Sequence, residues 1–175
     1  VARGLGEFAS VVLGVGLDQA LRDLGLGQFV GRSAKDVARG LVDALCGDGS
    51  TLDEVDARNA MVDLQQELLE GAETYEDVKA RLEQELQPEA LGQWMLTFFG
   101  HYVFHRFQRA FFEKLVRQHG HDKAVGMLNS IRLYIRTALG RATRRVTLVG
   151  VGWAGAQGLQ LATRICEQTL RVFER

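Results

Sequence analysis

His101 and His105 stand four residues apart. On a helix they share one face, at the spacing from which two imidazoles can hold zinc. The intervening run, HYVFH, lacks the glutamate of a metalloprotease helix, and His119 and His121 supply no recognised ligand spacing. Histidines that pack or sit at the surface are the better reading, and no metal is expected. Gly150, Gly152 and Gly155, in VTLVGVGWAGAQG, match the G-x-G-x-x-G of a dinucleotide-binding turn. That fold needs a second strand and an acidic residue about 20 positions on. The residues that follow read as a helix instead, and no strand–helix alternation precedes them. The glycines are better read as a close approach between helices, with no cofactor.

Arg132, Arg136, Arg141, Arg144 and Arg145 form the densest basic cluster, a helical stripe that could contact phosphates. Only Tyr134 is interleaved and no helix-turn-helix spacing appears, so nucleic-acid binding or sensing through 132–145 stands as the alternative function. Asp53, Glu54 and Asp56 gather at a helix start, where the helix dipole already accounts for them. No serine or cysteine sits in a nucleophile elbow or beside a histidine. The chain is expected not to be an enzyme.

These groups must be positioned by helices. One proline in 175 residues, 46% apolar residues and 25% charged residues describe a globular protein of long helices. The stretch 89–118 carries eight of the fourteen aromatic residues, and its apolar residues recur every three or four positions. It reads as the central helix. Around it, helices are expected over 7–24, from Ser33 to Leu45, from Thr51 to about Glu70, over 75–86, over 122–146 and over 159–173. Ser33 with Asp36, Thr51 with Glu54, and Thr74 with Asp77 have cap spacing. The fold class is therefore all-α: one bundle-like domain, 1–175, of about six helices around the aromatic-rich one.

Net charge is −1, so no global field draws the protein to nucleic acid or membrane. The charge is unevenly placed. Residues 43–89 hold 14 acidic and 3 basic residues, whereas 101–146 hold 10 basic and 2 acidic. The two halves either neutralise each other across helix interfaces or form separate docking surfaces. Cys46 and Cys166 lie among apolar residues and read as buried thiols of a reducing, cytoplasmic protein. No signal peptide or membrane-length apolar run is visible.

The segment 41–60, LVDALCGDGSTLDEVDARNA, resembles the QatB family of the bacterial Qat anti-phage defence system. The resemblance rests on Leu45 and Cys46 ending a helix, on the turn Asp48, Gly49 and Ser50, and on an acidic helix start with Asp53, Glu54, Ala57 and Arg58. Gly47 departs from an expected proline. The helices from Leu5 onward are similar to the family's C-terminal helical domain. The resemblance implies a non-enzymatic protein whose flexible Gly/Pro-rich N-terminal region precedes this domain, consistent with a start at Val1. It implies work beside QatC, an ATP-using QueC-like enzyme similar to the 7-cyano-7-deazaguanine synthases, which would modify that N-terminal region. An ATPase and a TatD-like nuclease are the further partners implied. Candidate partner-binding residues are Cys46, Asp48, Gly49, Ser50, Asp53, Glu54 and Arg58, with Arg141, Arg144 and Arg145 from the basic cluster.

Overall fold

The computed structural model describes residues 1–46, 49–85 and 88–143, together with positions 160 and 164. Seven α-helices and no strands occur among the described residues: α1 (Ala2–Val15), α2 (Leu17–Asp23), α3 (Ala34–Cys46), α4 (Leu52–Leu68), α5 (Tyr75–Glu85), α6 (Pro88–His119) and α7 (His121–Thr143). The all-α expectation holds, as does the long central helix. The glycine motif at 150–155 lies outside the described residues. So does the helix expected over 159–173, apart from Gln160 and Arg164.

The single helix expected over 7–24 is two. Gly16 adopts φ 88° and ψ 168°, caps α1 and starts α2. That left-handed φ is one only glycine reaches without steric cost. The three expected caps form. Ser33 Oγ accepts from Asp36 N at 3.2 Å, and Thr51 and Glu54 exchange both bonds of a capping box. Thr74 Oγ1 accepts from Asp77 N at 3.2 Å, while the Thr74 and Glu73 amides hold the Asp77 carboxyl below its usual pKa.

At 32 residues, α6 runs about 48 Å and serves two apolar clusters. Leu91, Trp94, Met95, Phe98 and Phe99 join the larger one, with residues of α1–α5. Leu96, Val103, Phe104 and Phe107 join a smaller one with Leu128, Ile135 and Leu139 of α7. The hairpin between α6 and α7 turns at Gly120, φ 80°, and is antiparallel: Phe112 meets His121, and Gly100 lies opposite Leu139. The absence of a Cβ at Gly100 lets α7 approach; an added Cβ would sit 3.5 Å from Leu139 Cδ1.

Candidate partner-binding surface

The acidic half and the basic half of the sequence meet along α4. Its acids at 53, 56, 63 and 67 follow helical spacing, so one stripe of carboxylates faces α6 and α7. Asp53 Oδ1 accepts from Tyr102 Oη at 2.6 Å and Arg106 Nη1 at 3.0 Å. Burial, then the Asp53 bond, pushes the Tyr102 phenol up to about 12. Asp56 is buried and takes three hydrogen bonds from Arg109, at 2.7, 3.0 and 3.1 Å. A helix dipole therefore does not account for Asp56; a guanidinium on α6 does.

Farther along, Asp63 Oδ2 lies 2.9 Å from His105 Nε2, 3.4 Å from His101 Nδ1 and 3.7 Å from Arg132 Nη2. Glu67 lies 3.2 Å from His101 Nε2 and 3.0 Å from Arg136 Nη2. Arg132 also stacks 4.2 Å above the Phe104 ring, a cation–π contact. His101 is 3% exposed. Burial holds its pKa below the ordinary imidazole value, and Arg136 and Arg132 push the same way against Glu67 and Asp63. Two histidines and two carboxylates are metal-ligand types, yet here the carboxylates face guanidinium groups. Among the described residues no three such donors converge as a metal site needs.

The sequence-predicted residues are not all placed together. Cys46 is buried in the larger apolar cluster, and burial lifts its thiol pKa to about 11. Gly49 turns the chain at φ 74°. Ser50 Oγ donates to Glu54 Oε2 at 3.0 Å, so both belong to the start of α4. Asp53 ties α4 to α6, and Arg58 pairs with Asp43 of α3. Arg141 is exposed and lines an open depression with Leu133 and Tyr134 on the outer side of α7. Asp48, Arg144 and Arg145 lie outside the described residues. The structure brings Ser50, Glu54 and Asp53 to one helix start, well apart in sequence and element from Arg141.

Two basic residues escaped the sequence reading. The α3–α4 pair is antiparallel: Arg58 reaches Asp43, and Gln65 Nε2 donates to the Ala38 carbonyl at 2.9 Å. Along its outer side runs an open groove of about 480 Å³. Val42, Val62 and Leu69 give it apolar walls, while Lys35, Arg39 and Arg58 border it. The only sequence signal for Lys35 and Arg39 was their four-residue spacing on a helix otherwise read for its apolar face.

Among the described residues, then, the body is helical, with its acidic helix clamped by basic ones and a groove left open along α3 and α4. The chain matches the family described as Qat anti-phage system associated protein QatB over residues 1–173, and it belongs to that family. No curated protein and no solved structure matches it. Among the described residues no helix is long and apolar enough to cross a membrane.

Proposed function

We propose that this domain is a non-enzymatic docking body of the Qat system, which binds the QueC-like enzyme QatC and presents to it an N-terminal segment for modification. Membership of the family supports association with the other Qat components. The observation that favours contact over turnover is the use made of the chemically capable side chains: His101, His105, Asp56 and Asp63 face partners across helix interfaces instead of converging on an open cavity. A rigid body that holds the enzyme would raise the effective concentration of a tethered segment at its active site. The turn at Cys46, Gly49 and Ser50, with Asp53, Glu54 and Arg58, is one candidate face, and Arg141 another.

Co-expression of the chain with QatC, followed by size-exclusion chromatography, tests the reading. Co-elution is expected, and separate elution at micromolar concentrations would overturn it. The nucleic-acid alternative is weakened because Arg132 and Arg136 are already engaged by Asp63 and Glu67. A salt-dependent mobility shift on duplex DNA would restore it.

A further inference from the structure

The groove between α3 and α4 joins two features. Its walls are apolar: Val42, Val62 and Leu69 line it, and Val62 is 38% exposed. Its border is cationic. Lys35, Arg39 and Arg58 line it, and no acidic side chain among the described residues does. Arg58 is answered by Asp43. Lys35 and Arg39 are exposed and have no ionic partner among the described residues.

Two parallel ridges of antiparallel helices enclose such a groove, and the matching ligand shape is a third helix laid along it. Its buried face must be apolar to cover Val62 and the half-buried Leu69 above the buried Val42, and its flanks must be acidic to meet Lys35 and Arg39. Phosphates would answer the cations but would leave the apolar walls uncovered, so a protein helix fits where a nucleic acid does not. We propose that this groove is the docking site for an acidic amphipathic helix supplied by another component of the same defence system. The identity of that component rests on the function proposed above; the chemistry of the helix does not.

The experiment pairs the chain, and its Lys35→Glu/Arg39→Glu and Val62→Glu variants, with each purified Qat component in turn, with Lys123→Glu on α7 as a control outside the groove and both candidate faces. Lys35, Arg39 and Lys123 are exposed, and circular dichroism with thermal melting establishes that the variants fold. Binding by the parent chain that weakens about tenfold or more in both groove variants, survives in Lys123→Glu and falls with added salt supports the groove. Capture of QatC with equal affinity by parent and groove variants overturns the groove and leaves the docking function standing. Capture of a different component through the groove, with none of QatC, supports the groove and overturns the choice of enzyme. Capture of no component, or a parent chain that binds a labelled single-stranded or duplex DNA through Lys35 and Arg39, overturns the groove proposal.

Discussion

The Arg109 guanidinium closes over the Asp56 carboxylate with three hydrogen bonds, and the two are unequally placed: the acid's side chain is 3% exposed and the base's 36%. Removing the base strands a charge that water cannot reach, whereas removing the acid frees a guanidinium that can turn outward. Arg109→Met is therefore expected to cost about 3–5 kcal/mol, and Asp56→Asn clearly less. Urea denaturation of both variants measures the asymmetry, and equal costs would count against it.

His101 gives the fold a pH dependence. Its folded pKa lies below the ordinary imidazole value because the ring is buried, so the unfolded chain takes up the proton first as pH falls. The resulting stability is present in full above the unfolded pKa, about 6.5, and is lost as pH drops towards the folded one. The loss cannot exceed about 1.4 kcal/mol per pH unit for one proton. His101→Gln should flatten the stability profile between about pH 7 and 5 relative to the parent. A variant profile as steep as the parent's would assign the dependence elsewhere.

Glycines in α3 and α7 respond in opposite ways to alanine. A Cβ at Gly40 would stand 2.9 Å from Cε2 of Phe29 and 3.0 Å from its Cδ2. Gly40→Ala should destabilise by about 1–3 kcal/mol through overpacking. A Cβ at Gly126 meets nothing within 4 Å, and the position is exposed. Gly126→Ala should stabilise by up to about 1 kcal/mol through helix propensity. Thermal melts of the two variants should move in opposite directions.

Cys46 should resist alkylation in the native state. Its pKa of about 11 leaves almost no thiolate at neutral pH, and its burial blocks the reagent. Iodoacetamide labelling at Cys46, followed by peptide mass spectrometry, should appear only after denaturant is added.

The long helix was readable because nothing interrupts it: between Pro88 and Gly120 the sequence has no breaker beyond Gly92 and Gly100, and its apolar spacing is helical throughout. Caps were readable for a similar reason, since Thr51 and Glu54 meet within one turn. The break at Gly16 was less visible, because glycine inside a helix costs about 1 kcal/mol and does not by itself dictate a left-handed φ. Asp56 is the instructive miss. A carboxylate near a helix start is ordinarily explained by that start, and only the tertiary approach of α6 shows Arg109 above it. The same applies to Arg132 and Arg136, whose partners on α4 lie more than sixty residues away in sequence. The charge asymmetry was legible as a number, but its resolution into facing helices required the fold. The α3–α4 groove was invisible for the opposite reason: Lys35 and Arg39 look ordinary until their neighbours are placed.

Because α6 enters one apolar cluster with its first half and another with its second, the molecule has a seam near Gly100. Among the described residues α7 packs on α6 and reaches α4 through the two arginine contacts, so it is expected to open more readily than the helices packed around Trp94 and Phe98. Amide protons of α7 would then exchange with solvent faster than those of α3.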